Sequence, residues 1–141
     1  MTINLNAMRW LFITLVLLVS CKNENAGSWG GGKITEPGKY IYNDASLVIQ
    51  IAIENGFVKY GLYNSEGVLL AKNDYRISTY QNWAFYLDED LNFWVFSSDI
   101  GHSVWEKDLT RYYHHTFEHK LRKDEVSEKL YNECKEFFYD K

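Results

Sequence analysis

Three histidines, His114, His115 and His119, fall within six residues, and Glu118 stands beside the last. Imidazole and carboxylate are the side chains that hold a zinc ion. On a helix, positions 115 and 119 share one face, as two ligands of one ion must. Such a centre would activate water for hydrolysis. The chain's two cysteines, Cys21 and Cys134, offer a second chemistry. Cys134 sits on an apolar helical stripe, where a buried and inert thiol is expected. Cys21 sits at the end of an apolar run, a different context.

The string His115-Thr116-Phe117-Glu118-His119 resembles the H-x-x-E-H pattern of inverted zinc peptidases. A third ligand and a substrate cleft are still required, and only 22 residues follow His119. The expectation is a polar surface run with no metal and no cofactor. A small metal-dependent hydrolase using the His114–His119 segment is the alternative. Asp88, Asp90 and Asn92 open like a calcium loop, but Phe93 occupies the position that needs glycine, so this segment reads as a hairpin turn. Ser98, Asp99, His102 and Ser103 are close in sequence without a nucleophile elbow, and a turn held by Asp99 is the reading. No phosphate-binding glycine loop occurs between a strand and a helix.

From Trp10 to Val19 the only polar residue is Thr14. The run is too short to span a bilayer, which takes about 20 residues, and has the length of a signal-peptide core. Translation could begin at Met1 or at Met8. Leu18-Val19-Ser20-Cys21 resembles the lipobox of bacterial lipoproteins. That resemblance implies cleavage before Cys21, a diacylglyceryl thioether on its sulfur, and acyl-chain anchorage in the cell envelope. Lys22, rather than aspartate, then implies the outer membrane if the host is Gram-negative. Several acyl chains hold a protein durably where one does not.

The resulting division is a signal peptide over 1–20, a glycine-rich flexible tether over 21–38, and one folded domain over 39–141. The chain is acidic, with a formal charge of −4, which argues against nucleic acid as a partner. Residues 111–123 form a local basic and histidine-rich segment against that background.

The elements that must position these residues read mainly as strands. Asn55-Gly56 suits a type I′ turn, whose two central residues need positive φ. A two-residue loop there pairs Glu54 with Phe57, Ile51 with Tyr60 and Ile49 with Leu62, which agrees with the hydrophobic alternation. Further strands are expected at 38–42, 68–73, 75–79, 83–87, 93–97 and 102–107. Residues 109–123 read as loop or helix. A helix is expected over 124–139, capped by Asp124 and supported by a Glu125–Lys129 pair. Its apolar stripe is Val126, Leu130, Cys134, Phe137 and Phe138. The fold class is therefore mainly β with one C-terminal α-helix. The expected architecture is an antiparallel meander, as a curled sheet or small barrel, with the helix packed on one face.

Aromatic residues make up 17 % of the chain, more than one face of a small sheet readily hides. Trp94, Trp105, Arg111, Tyr112 and Tyr113 are the candidate contact residues, since large aromatics and arginine dominate interface hot spots. The expected function is a noncatalytic, lipid-anchored envelope module that binds a protein or glycan partner. An inhibitor or immunity protein is one form of it.

Overall fold

A computed structural model of the chain describes residues 28–139. Cys21, the expected signal peptide and the first part of the expected tether lie outside the described residues. Within them the chain is mainly β, with eleven strands in two sheets and one short C-terminal helix. The sheets face each other and do not close into a barrel.

The first sheet contains β1 (Ser28–Trp29), β3 (Gly38–Tyr42), β4 (Leu47–Glu54), β5 (Phe57–Asn64), β6 (Leu69–Lys72) and β7 (Ile77–Ser78). The second runs in the order β11 (Arg111–Thr116), β10 (Gly101–Asp108), β9 (Phe93–Ser97), β8 (Trp83–Leu87), β2 (Gly32–Ile34). All pairings are antiparallel except β1 with β3.

The hairpin of β4 and β5 has the register expected from Asn55-Gly56: Glu54 pairs with Phe57, Ile51 with Tyr60 and Ile49 with Leu62. Both turn residues have positive φ, 52° and 80°. Ile49, Ile51, Val58, Tyr60 and Leu62 are buried on one face, while Ile53, near the turn, is exposed. Alternation in this hairpin means that one face meets the core and the other meets water.

Strands β8 and β9, "WAFYL" and "FWVFS", do not alternate, because both of their faces are covered. Phe85, Leu87, Phe93 and Val95 point into the core shared with the first sheet. Ala84, Tyr86 and Phe96 point the other way, against Leu121, Leu130, Cys134, Phe137 and Phe138. The domain is thus three layers: first sheet, second sheet, and C-terminal segment.

Two expectations change. The tether does not extend to residue 38, because β1 joins the first sheet and β2 joins the second. The glycines between them serve a tight crossing instead of flexibility. Gly31 has φ 90°, and a Cβ there would come within 3.1 Å of the Leu87 carbonyl oxygen. Only a residue without a side chain fits such a position.

The expected helix over 124–139 is also broken. It consists of a 3-10 turn at Lys123–Glu125, helix α1 at Glu128–Glu133, and a second 3-10 turn at Lys135–Phe137. Ser127, not Asp124, caps α1, accepting a hydrogen bond from the Leu130 amide at 3.2 Å. Glu125 turns back to the Arg122 amide and to His119 instead of pairing with Lys129, which reaches Glu89. The apolar stripe survives the breaks: Leu130, Cys134, Phe137 and Phe138 are buried. Burial against the sheet governs this segment more than helical regularity does.

Candidate functional site

The turn between β8 and β9 is built by Asp88. Its Oδ1 accepts from the Asp90 amide at 3.0 Å and the Asn92 amide at 2.8 Å. Its Oδ2 accepts from Asn92 Nδ2 at 3.1 Å and from Trp94 Nε1 at 2.9 Å. This carboxylate is consumed by the turn, as an aspartate that shapes its own backbone is expected to be. The same bond fixes the Trp94 ring.

Trp94 continues a line of stacked rings that leaves the second core for the surface. Phe137 stacks on Phe96 at 5.4 Å, Phe96 on Trp94 at 6.4 Å, and Trp94 on Phe117 at 6.0 Å. His115 meets the far side of Phe117 at 5.0 Å. Trp94 is half-buried and its free edge lines a groove of about 510 Å³. One wall of the groove is the Asp88 turn and the other is the start of the C-terminal layer. Asp88, Glu89, Asp90, Asp124 and Glu125 line it, against Lys129 alone. Glu125 is held below its ordinary pKa, chiefly by the Arg122 backbone amide and then by the His119 imidazole. The groove therefore joins an apolar edge to carboxylates, three of them already paired: Asp124 and Glu125 with Arg122, and Glu89 with Lys129.

The five candidate contact residues do not form one surface. Trp94 and Trp105 lie on neighbouring strands but on opposite faces of the second sheet, since Trp94 pairs with Val104 and Trp105 with Phe93. Trp105 packs into the core between the sheets, and so does Tyr112, which is 9 % exposed. The Tyr112 hydroxyl donates to the Leu91 carbonyl at 2.9 Å. Tyr113 is exposed on the outer face, and exposed Arg111 pairs with Asp108 at the end of the hairpin. Pleating explains the split: consecutive residues of a strand face opposite ways. Trp94 alone of the five lines the groove.

The histidines do not form the expected helical pair. Residues 111–116 are a strand, not a helix, so the spacing of His115 and His119 does not place them on one helical face. Both rings meet Phe117, His115 at 5.0 Å and His119 at 6.5 Å, and His119 Nε2 lies 2.9 Å from Glu125 Oε1. His114 points to the inner side, stacked on Trp105 at 4.6 Å and on Tyr75 at 5.7 Å. Among the described residues, no group of three or more His, Cys, Asp or Glu side chains is arranged to hold a metal.

Ser98, Asp99, His102 and Ser103 likewise diverge. Asp99 braces the chain, accepting from the Ser78 amide at 3.1 Å and from the Ser97 hydroxyl. Ser103 turns inward toward Tyr75, and His102 turns outward into the second core.

Sequence reasoning missed a polar cluster between the sheets. Trp105 Nε1 donates to the Tyr60 hydroxyl at 2.8 Å, and that hydroxyl lies 2.9 Å from the Tyr75 hydroxyl. Tyr75 in turn lies 3.2 Å from Ser103 Oγ and 3.4 Å from His114 Nε2. Burial pushes the Tyr60 phenol far up, so it remains a neutral hydrogen-bonding group. This cluster ties the sheets together. Its members are far apart in sequence, so no motif marks it.

Among the described residues no helix is long and apolar enough to cross a membrane. Comparison with protein-family models, curated proteins and solved structures finds no match to this chain. The functional reading therefore rests on the groove and on the residues that build it.

Proposed function

We propose that this protein is a lipid-anchored component of the bacterial envelope whose folded part is a noncatalytic binding module. Acylation at Cys21 supplies the anchor. The groove beside Trp94 receives a lysine- or arginine-bearing segment of a protein partner. An inhibitor or immunity protein is the role that suits a small tethered binder, by analogy.

The observation that carries this reading is the combination at the groove: a fixed tryptophan edge between two acidic walls. Lysine and arginine have apolar stems and charged heads, so one side chain satisfies both parts of such a groove. Charge of one sign also steers an oppositely charged partner toward the site. The hydrolase reading has less support, because residues 111–116 are strand and do not place His115 and His119 on one helical face.

Photocrosslinking in cells of the native host tests the groove. A photoreactive residue at position 89 is expected to trap a protein through a peptide rich in lysine or arginine. Glu89→Gln with Asp124→Asn is expected to lower the yield roughly tenfold, as loss of two facing charges would. Equal trapping from position 65, on a distant turn, rejects the assignment. The anchor is tested separately by mass spectrometry of protein from that host. Diacylglycerol on Cys21 and absence of residues 1–20 are expected.

A further inference from the structure

We propose that the outer face of the first sheet is the surface that lies against an anionic lipid bilayer. Residues that alternate with the buried ones on β3 to β6 point away from the core. Lys39 pairs with Gln50, Gln50 with Gly61, and Gly61 with Lys72, so one row across the sheet begins and ends in lysine. Lys59 stands on the same face, opposite Ala52. These three lysines line a shallow hollow of about 610 Å³ in which Glu54 is the only carboxylate. None of them forms an ion pair among the described residues. Arg76 adds a fourth positive charge beside the hollow, lying over Phe57 at 5.2 Å.

This arrangement is unusual for an acidic chain. Lys59 stands diagonal to Lys72 across β5 and β6, and like charges that close repel unless an anion faces them. The Tyr63 ring lies over Gly61, where a Cβ would come within 2.8 Å of the ring. A tyrosine at a charged surface suits the level of lipid headgroups. The acidic groove lies on the far side of the second sheet, in the C-terminal layer. A bilayer of anionic lipid that meets the first face leaves the groove turned toward a partner.

Chain connectivity agrees, on the reading that Cys21 carries the anchor. β1 is the edge strand of the basic sheet and begins at Ser28. Residues 21–27 then link it to the lipid, and a chain of that length spans at most about 25 Å. That tether keeps the sheet near the surface, where attraction acts over a Debye length of about 8 Å at physiological salt.

The test uses the processed full chain in vesicles of phosphatidylcholine alone or with added phosphatidylglycerol. A water-soluble amine reagent reports the reactivity of each lysine. Lys39, Lys59 and Lys72 are expected to react roughly tenfold more slowly in the anionic vesicles only, with recovery in 1 M salt, where screening is complete within about 3 Å. Lys129 and Lys135, in the opposite layer, are expected to be unchanged. Equal rates for the three lysines in both vesicles overturn the proposal. Protection by a soluble acidic polysaccharide, with none by anionic vesicles, also overturns it, in favour of a glycan. Failure of the chain to float with phosphatidylcholine vesicles sinks the anchor and not the face. In that case flotation with anionic vesicles, lost in Lys39→Gln/Lys59→Gln/Lys72→Gln, supports the face, and no flotation rejects it.

Discussion

Trp105 Nε1 donates to the Tyr60 hydroxyl across the two sheets, at 2.8 Å. A surface tryptophan would be free to meet a partner. This one is instead oriented by a buried phenol of the opposite sheet, so its role is to join layers. Trp105→Phe is expected to destabilise the fold by about 1 kcal/mol through loss of that bond. Tyr60→Phe is expected to cost more, since it also leaves Tyr75 without its 2.9 Å partner. The double variant should fall short of the sum, because one bond is counted in both. Urea unfolding of the three variants measures this, and full additivity would reject the coupling.

Asn73 replaces a missing piece of strand. β6 and β7 both pair with β5, at either side of a four-residue interruption. There the Asn73 side chain accepts from the Tyr60 amide at 2.9 Å and donates to the Val58 carbonyl at 3.0 Å. Its amide thus completes the hydrogen bonds of β5 that the interruption leaves open. Asn73→Leu strands a buried donor and a buried acceptor, and should cost about 2–4 kcal/mol. Asn73→Asp should also destabilise, because a carboxylate accepts from Tyr60 but cannot donate to Val58. Stability equal to the parent in either variant would contradict this role.

His102 should make the protein acid-sensitive. It is 7 % exposed, among Phe96, Phe137 and Phe138, and its Nδ1 has no partner among the described residues. Burial, with a smaller effect of the Lys120 charge, pushes its imidazole down to about 4. The folded state thus resists a proton that the unfolded state accepts at its ordinary value near 6.5. Stability from this residue is complete above about pH 6.5 and is lost as the pH falls toward 4. The loss is on the order of 2 kcal/mol at pH 5. Denaturation midpoints of the parent and His102→Leu at pH 7.5 and pH 5 test this. The variant should lose less stability between the two, and an identical loss in both would exclude His102 as the source.

Leu109 sits at the tip of the β10–β11 hairpin with φ 51° and is 87 % exposed. A left-handed backbone costs a branched side chain roughly 1 kcal/mol, and here the side chain gains little burial in return. Leu109→Gly or Leu109→Asn should therefore raise stability by about 0.5–1 kcal/mol. A thermal melt is sufficient, and a lower midpoint for both variants would show that the leucine is needed where it stands.

Cys134 is fully buried, and burial pushes its thiol up to about 12. A disulfide reagent at pH 8 should leave it unmodified in the folded protein and react at once in denaturant. In lipidated material no second thiol should appear in denaturant. Two thiols would mean that Cys21 is unmodified.

Local chemistry was legible wherever one short segment settles its own geometry. The Asn55-Gly56 turn and the alternation around it give the same register from sequence and in the fold, because turn type and side-chain period both act over a few residues. The turn built by Asp88 belongs to the same class. The hairpin at Leu109 was not legible, because neither of its central residues, Leu109 and Thr110, is of a type that eases positive φ. The pairing of β10 with β11 overrides that local preference. The helix over 124–139 shows the same limit from the other side. Its stripe of buried residues was readable, but its breaks answer to the surface of the second sheet.

By itself, the sequence determines a mainly β chain, one hairpin register, the apolar C-terminal stripe and the lipobox resemblance at Cys21. These depend on neighbours along the chain. Tertiary structure alone decided that Gly31 marks a crossing between sheets and not a tether. It also sent Trp94 to a groove and Trp105 to the core, and laid His115 on a strand, off any helical face shared with His119. Those outcomes depend on which face of a strand is covered and by what. Covering one face of the second sheet with the first sheet, and the other with the C-terminal segment, requires contacts between residues distant in sequence, which no local pattern specifies.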